Sequence, residues 1–205
     1  MTPCRNIVKS RLFLLGLALL VSLGAAMRVP AAEPAKNSND WARAVDKPDL
    51  PNLHKVNDQL YRGAQPEKNG YEELAKMGIK TVICLRESDP DIEAIKRAKL
   101  ECVHIPVKTW HPTDDEVVRF LKTVTDKKKQ PVFVHCRHGS DRTGTMCAIY
   151  RVAIDGWSKA DAIEEMTKGD FGFHSVWANL IRFIKKLDID SLKQKAGLEK
   201  ANKAP

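Results

Sequence analysis

Residues 135–145, His-Cys-Arg-His-Gly-Ser-Asp-Arg-Thr-Gly-Thr, constrain the fold of this chain more than any other segment. They follow the apolar run Pro131–Val134 and precede another from Met146 to Ile149, which predicts a strand, a tight loop and the first turn of a helix. Cys136 and Arg142 bracket the loop, with five residues between them. The backbone N–H groups of such a loop can converge at the helix N-terminus, where a phosphate is favoured by the amides and by the helix dipole.

The two bracketing residues suit phosphate chemistry. A cysteine at a helix N-terminus beside a fixed cation is favoured as the nucleophilic thiolate, and an arginine guanidinium binds two phosphoryl oxygens at once. Three other interpretations are a buried structural cysteine, a zinc site of His135, Cys136 and His138, and a sulfur-transfer enzyme with a persulfide on Cys136. The polar loop disfavours the first, and the lack of a second ligand cluster in the sequence disfavours the second. The string Arg142-Thr143-Gly144 disfavours the third, because it points to phosphate.

The string His135-Cys136-(five residues)-Arg142-Thr143-Gly144 resembles the signature of cysteine-dependent protein tyrosine and dual-specificity phosphatases. The likeness extends over roughly residues 52–187, where Leu60–Pro66 and Gly78–Arg86 look like the first two strands of the small dual-specificity branch. The resemblance implies a phosphatase that works through a phosphocysteine, without a cofactor or a metal. Cys136 would be the nucleophile and Arg142 the clamp for the phosphoryl group.

The same resemblance assigns roles to the rest of the loop. Thr143 is expected to stabilise the Cys136 thiolate, and His135 is expected to support it by ordering the loop through a backbone hydrogen bond. The residues expected to bind phosphate are Arg137, His138, Gly139, Ser140, Asp141 and Arg142.

The resemblance also calls for a proton donor for the departing oxygen, commonly an aspartate on a mobile loop that precedes a helix. Residues 110–116 resemble such a loop with one inserted residue, and Asp114 is the first candidate. The competing interpretation is a plain helix start, because Thr113 with Glu116 has the spacing of a capping box and acids favour a first turn. The other candidates for the donor are Asp115, Asp141, His111 and His138.

The N-terminus has the layout of a secretory signal. Arg5, Lys9 and Arg11 precede the apolar stretch Leu12–Leu23, and small residues follow it. The chain is therefore expected to be exported, to the periplasm or beyond, with tethering by an uncleaved signal anchor as the alternative. Removal of residues 1–32 takes away four basic residues and no acid, so the net charge falls from +8 to +4.

The alternation of strand and helix patterns predicts an α/β fold. We expect a central, mostly parallel sheet of four to five strands flanked by helices, with the phosphate loop at the C-terminal end of a central strand. After a signal in residues 1–32, residues 33–51 are expected to form a linker or surface arm. Residues 52–187 would be the phosphatase domain and residues 188–205 a Lys- and Ala-rich tail. Four cysteines remain in the mature chain, and apolar surroundings suggest that Cys84, Cys102 and Cys147 are buried thiols rather than a disulfide framework.

The sequence therefore predicts a phosphomonoester phosphatase, most simply for protein phosphotyrosine with dual specificity as an extension. A phosphatase for phosphoinositides, inositol phosphates or lipid-linked phosphates is the enzymatic alternative, and a non-catalytic module that binds a phosphorylated ligand is the alternative from another class. The expected partner is a phosphorylated protein or a small anionic phosphoester, and the expected state is a monomer without a membrane span in the mature form. Nucleic acid is not expected, because no basic stripe is interleaved with aromatic residues.

Overall fold

The structure is a computed structural model that describes Met1, residues 38–88 and residues 90–198. The chain divides into two units, Met1–Glu33 and Pro34–Pro205, and the described fold belongs to the second. The predicted signal segment therefore lies outside the described residues, apart from Met1, and so do residues 199–205 of the predicted tail.

The described part of the second unit contains one six-stranded sheet. Its strands are β1 (Arg43–Ala44), β2 (His54–Lys55), β3 (Leu60–Gly63), β4 (Thr81–Cys84), β5 (Glu101–His104) and β6 (Val132–His135). The spatial order is β1-β2-β3-β6-β4-β5, in which β3, β6, β4 and β5 are parallel and β1 and β2 are antiparallel additions at one edge. The predicted mostly parallel sheet is confirmed, and β6 lies at its centre. The sheet exceeds the predicted four to five strands because β1 and β2 have two residues each, too few to show a periodic pattern.

Helices cover both faces of the sheet. They are α1 (Gly70–Lys76), α2 (Ile92–Arg97), α3 (Asp114–Thr125), α4 (Asp141–Ala153), α5 (Lys159–Lys168), α6 (Ala178–Lys186) and α7 (Ile189–Ala196), with short 3₁₀ turns at Ser38–Asp40 and Ser175–Trp177. Because side chains alternate along a strand, Val132 and Val134 of β6 enter the larger core with α3 to α7, whereas Phe133 enters the smaller core with α1 and α2. None of the helices in the described ranges is long and apolar enough to cross a bilayer.

The folded unit is larger than residues 52–187. At the N-terminal side, residues 43–44 form β1 and Leu50 is buried, so this part of the expected linker packs on the domain. At the C-terminal side, α7 packs on α3 and α4 and buries Leu192 and Ala196. Ile189 also packs against the larger core, and the three positions, three and four residues apart, form one apolar face of α7 among lysines.

Candidate active site

The loop Cys136–Ser140 lies at the centre of the sheet edge, between the end of β6 and the start of α4. Gly63 of β3 and Cys84 of β4 both pair in register with His135, the last residue of β6. The N–H of Leu85 then donates to the carbonyl of His135 at 2.8 Å, which extends the ladder to the edge of the loop. The loop therefore occupies the C-terminal ends of three parallel strands, where open α/β sheets bind ligands.

Gly139 shapes the loop, and no other residue type fits its position. Its φ of +73° lies in the left-handed region, and a Cβ there would stand 2.5 Å from the carbonyl carbon of Gly63 and 2.6 Å from the nitrogen of Ala64. Both obstacles are backbone atoms, which cannot swing aside. The close approach of the loop to the end of β3 therefore requires glycine.

Two side chains fix the loop from outside. The Nη2 of Arg62 donates to the carbonyl of Gly139 at 2.8 Å, and the Nδ2 of Asn52 donates to the carbonyl of His138 at 2.9 Å. A trans peptide unit directs its C=O and N–H in opposite directions. The N–H groups of Gly139 and Ser140 therefore point away from these donors, toward the concave side of the loop, as a phosphate site requires.

Arg62 is an unusual strand residue, because it is only 1% exposed. Its guanidinium lies 3.8 Å from the ring centroid of Phe171, and burial lowers its pKa. It contributes a fixed positive group directly below the loop. The contacts of Arg62 with Gly139 and Phe171 were not predicted from the sequence, although a charged residue at a strand position is a signal that a buried partner is needed.

The structure brings the predicted nucleophile and clamp together at the two ends of the loop. Cys136 is 3% exposed at the base, and the Nη1 of Arg142 donates to the carbonyl of Leu85 at 3.5 Å. Thr143 follows on α4 and is fully buried, but its Oγ1 has no hydrogen-bond partner among the described residues. The expected hydrogen bond from Thr143 to Cys136 is therefore not formed in this arrangement, and a buried hydroxyl is left without an acceptor.

His135 supports the loop as a neutral ring. Its Nδ1 lies 3.1 Å from the carbonyl of Cys136, and the ring stacks on Phe133 with centroids 5.7 Å apart. Burial lowers its pKa to about 4. A neutral imidazole donates Nδ1–H to the carbonyl, so His135 orders the backbone, as predicted, and does not act on the thiolate as a cation.

Asp141, which was expected to serve the phosphate loop, binds a different element. Its Oδ1 accepts the backbone N–H of His174 at 2.9 Å, and its Oδ2 lies 2.9 Å from the Nδ1 of the same residue. The sequence also allows Asp141 to act as an acceptor that orients Arg142 or Arg62. In the structure both carboxylate oxygens contact His174, because the segment that leads into α6 approaches the start of α4. His174 belongs to no motif in the sequence, so its contact with Asp141 could not be predicted.

The α3 candidates for the proton donor lie at an exposed helix start. The capping box is present: the N–H of Thr113 donates to Glu116 at 2.8 Å, and the N–H of Glu116 donates to Thr113 at 3.4 Å. Asp114 and Asp115 occupy the exposed first turn, and neither carboxylate makes a hydrogen bond or an ion pair within the described part of the chain. Asp114 as the donor stays a prediction.

Two depressions flank the loop and share Asn52 and His138. The larger, of about 730 Å³, brings in Arg86 and Arg137, and the Nη1 of Arg86 donates to the Oε1 of Gln65 at 3.0 Å. The smaller, of about 390 Å³, is lined by Ser140, Asp170, Phe171, Gly172 and His174. The rim of the loop therefore carries two arginines and one acid, Glu67, on the side of β3 and β4, and two histidines on the side of α6.

The remaining cysteines do not compete with Cys136 for its role. The four described cysteines are all free thiols, and burial raises the pKa of Cys102 and of Cys147 to about 11 and also raises the pKa of Cys84. Between residues 38 and 198, apart from residue 89, no three His, Cys, Asp or Glu side chains are grouped so that they could hold a metal ion.

Known proteins that are similar to this chain include phosphatases. Residues 38–178 match the family described as a DSP-PTPase phosphatase fused to NAD+ kinase. The dual specificity protein phosphatase TpbA of Pseudomonas aeruginosa strain UCBPP-PA14 is 34% identical over 182 residues, which cover 88% of this chain and 78% of TpbA. The inositol diphosphatase DSP5 of Arabidopsis thaliana is 29% identical and covers 70% of this chain and 73% of its own.

Among solved structures, a cysteine-to-serine variant of P. aeruginosa TpbA in complex with phosphotyrosine superposes with a TM-score of 0.70 at 30% identity, covering 80% of this chain and all of the TpbA chain. The fold and the central position of the loop are those expected of a phosphatase, and the matches cover most of the chain. The chain therefore belongs to the family of cysteine-dependent dual-specificity and tyrosine phosphatases.

Proposed function

We propose that this phosphatase hydrolyses phosphotyrosine through a covalent intermediate on Cys136. The observation that carries the proposal is the loop itself, whose amides face inward because Arg62 and Asn52 hold its carbonyls from outside. A relative of known structure binds phosphotyrosine in the same fold, which supports an aryl phosphate as the substrate.

In the proposed route, the thiolate of Cys136 attacks phosphorus in line with the departing oxygen. The loop amides and the guanidinium of Arg142 stabilise the equatorial oxygens, where negative charge accumulates. A proton donor neutralises the leaving oxygen, and water then attacks phosphorus and releases Cys136. The hydroxyl of Thr143 can donate a hydrogen bond to the sulfur as the sulfur departs, because its Oγ1 has no hydrogen-bond partner among the described residues.

An inositol phosphate with several phosphates is the second candidate substrate. The observation in its favour is the cationic depression that contains Arg86 and Arg137, directly beside the loop. A second phosphate of the substrate would reach these guanidinium groups without changing the chemistry at Cys136. The inositol diphosphatase among the relatives supports the same candidate.

The test is steady-state turnover of nitrophenyl phosphate, phosphotyrosyl and phosphoseryl peptides, and inositol phosphates, each with and without a chelator. We expect the highest kcat/KM on phosphotyrosyl peptides and no effect of the chelator. Cys136→Ser and Arg142→Ala should each lower kcat/KM by roughly three orders of magnitude or more, because one removes the nucleophile and the other the charge on the equatorial oxygens.

The matched controls are Cys102→Ser and Arg182→Ala, which change the same residue types away from the loop and should retain near-normal turnover. Higher kcat/KM on inositol phosphates that falls toward the aryl value in Arg137→Gln would favour the second candidate. Full activity of Cys136→Ser would contradict both.

We further propose that the protein acts outside the cytoplasm. The support is the order of basic, apolar and small residues in the first 32 positions. Sequencing of the N-terminus of protein from the source cell should find it between residues 27 and 33, and an intact Met1 on cytosolic protein would contradict export.

A further inference from the structure

Phe171 is buried, but not by the apolar packing that usually buries a phenylalanine. It is 2% exposed, yet it lies outside both apolar cores of the described residues. Its ring instead contacts two polar side chains. The Arg62 guanidinium lies 3.8 Å from the ring centroid, and the His54 ring meets it edge-on with centroids 4.7 Å apart. Core packing therefore does not explain why a large apolar side chain is buried at this position.

The segment of residues 169–172, between α5 and α6, is shaped to hold the Phe171 ring against the phosphate loop. A Cβ at position 169 would stand 2.4 Å from Cε2 of that ring and 2.6 Å from the carbonyl oxygen of Glu165. Glycine is therefore required where the ring folds back on the chain. Gly172 has a φ of +77°, and a Cβ there would lie 3.2 Å from the Oγ of Ser140, the last residue of the loop. The segment thus lies directly against the loop.

The carbonyl of Phe171 forms a second link to the loop. The Nδ2 of Asn52 donates to this carbonyl at 3.0 Å and to the carbonyl of His138 at 2.9 Å. A side-chain amide has two N–H donors, so these two hydrogen bonds use both donors of Asn52. The φ of Asn52, +55°, lies in the left-handed region, which asparagine adopts more readily than most residues. Asn52 therefore joins the segment before α6 to the loop.

The ring of Phe171 acts on Arg62, the other side chain that holds the loop. Arg62 donates through Nη2 to the carbonyl of Gly139 at 2.8 Å, and its Nε has no hydrogen-bond partner among the described residues. A buried guanidinium with so few hydrogen bonds depends on the aromatic face to keep one orientation. Removal of the ring would free Arg62 to turn, and the carbonyl of Gly139 would lose its donor.

We propose that Phe171 is a positioning residue of the active site, which sets the direction of the loop amides through Arg62 and Asn52; this rests on the phosphatase function proposed above. The loop amides stabilise the equatorial oxygens only when they point at them, and this stabilisation is strongest in the transition state. A small rotation of the loop therefore lowers the rate of the chemical step more than it weakens substrate binding. The segment between α5 and α6 thereby acts on turnover through the loop.

Full-length Phe171→Leu tests this role, because leucine fills much of the space but offers no aromatic face to the guanidinium. We expect kcat to fall roughly 10- to 100-fold, by the same factor on nitrophenyl phosphate and on a phosphotyrosyl peptide, with KM within about threefold of the parent value. Vanadate takes the five-coordinate geometry of the transferring phosphoryl group. Its affinity should therefore fall by the same factor as kcat.

Phe120→Leu is the matched control, because Phe120 on α3 is similarly buried but packs within the larger core. It should lower the free energy of unfolding at least as much as Phe171→Leu, and it should leave kcat and vanadate affinity near those of the parent. A merely structural role of Phe171 would give the same pattern, lower stability with kcat and vanadate affinity unchanged. That pattern in Phe171→Leu would overturn the proposal.

Two further comparisons test the route through Arg62 and Asn52. In an Arg62→Met background, Phe171→Leu should lower kcat less than about threefold, because the guanidinium that the ring orients is absent. Asn52→Gly keeps the left-handed backbone but removes the amide, so kcat and vanadate affinity should fall together. Lys99→Gly, at a φ of +60° in the turn after α2, should change neither. Losses that multiply fully in the double variant, or normal kcat in Asn52→Gly, would contradict the proposal.

Failure of the positioning role is distinct from failure of the phosphatase function. If Phe171→Leu turns over substrate as the parent does while Cys136→Ser is inactive, the function stands and the role of Phe171 is wrong. Full activity of Cys136→Ser would contradict the function itself.

Discussion

Two buried residues, Arg62 and His135, support the loop Cys136–Ser140, and burial affects their charge in opposite ways. Arg62 keeps its charge, although its Nε has no hydrogen-bond partner among the described residues, and it compensates through Gly139 and the ring of Phe171. His135 gives up its charge and stays neutral down to acidic pH. An arginine cannot be deprotonated at physiological pH, whereas a histidine can, so only the second residue makes the fold sensitive to acid.

His135 should therefore destabilise the protein as the pH falls. Its folded pKa of about 4 lies below the ordinary value of 6.5, so the unfolded chain binds a proton in this window and the folded chain does not. The contribution of His135 to the free energy of unfolding is complete above pH 6.5 and is lost progressively down to about pH 4, by at most about 3 kcal/mol. Urea unfolding at pH 7 and at pH 4.5 measures this loss in the free energy of unfolding.

His135→Gln keeps a donor for the carbonyl of Cys136 but cannot take up a proton, so it should lose less stability than the parent between these two pH values. His111→Gln, at an exposed position, should lose as much as the parent. Equal acid sensitivity of His135→Gln and the parent would show that the histidine is not neutral in the fold.

At the scale of elements, the sequence predicts what depends on local pattern. The strand Val132–His135 and the helices Asp114–Thr125 and Lys159–Lys168 are elements of this kind, because apolar periodicity and capping residues define them. β1 and β2 are too short for any period, and only their antiparallel pairing, of β1 with β2 and of β2 with β3, defines them as strands. The candidate site divides in the same way between local and distant residues. Cys136, Gly139 and Arg142 belong to one local motif and can be predicted from it. The contacts of Arg62 and His174 join segments that are distant in sequence, and these contacts could not be predicted.

The packing of the N-terminal segment on the helices is one such contact. The carboxylate of Glu165 on α5, 3% exposed, receives two hydrogen bonds from Arg151 on α4, at 2.9 and 2.8 Å, and one from the N–H of Ala42 at 2.7 Å. The guanidinium of Arg151 also lies 4.2 Å from the ring centroid of Trp157 and donates to the carbonyl of Asp40 at 3.1 Å. One buried ion pair therefore joins α4, α5 and the residues before β1.

Breaking this pair from one side should be costly. Glu165→Gln leaves the buried guanidinium with less compensation, and we expect a loss of about 3 kcal/mol in the free energy of unfolding. Hydrogen exchange should also show faster exchange of the Ala42 amide. Urea unfolding of the variant and the parent measures the first effect.

The neighbouring Glu164→Gln is the matched control, because Glu164 pairs with Lys168 at an exposed position and should contribute less than about 1 kcal/mol. If Glu165→Gln costs no more than Glu164→Gln, the pair does not hold the N-terminal segment.

In the molecule as a whole, the fold places the phosphate loop at the sheet edge, where three parallel strands contact it. β6 supplies the base of the loop, β3 approaches it at Gly139, and β4 continues to Leu85, which contacts both His135 and Arg142. Two separate cores hold this sheet edge rigid from both faces. The loop is thus preorganised for the transition state, so that little rearrangement is required when phosphate charge develops.

The proposed mechanism requires that the phosphoryl group of the substrate passes through Cys136. The most direct measurement is rapid acid quench of the enzyme during turnover of nitrophenyl phosphate, followed by mass spectrometry of the peptides. Because this leaving group makes the first step fast, we expect a burst of nitrophenol and one phosphate on the peptide that carries Cys136. Phosphate on a different residue, or turnover through a pre-steady state with no phosphorylated Cys136, would contradict it.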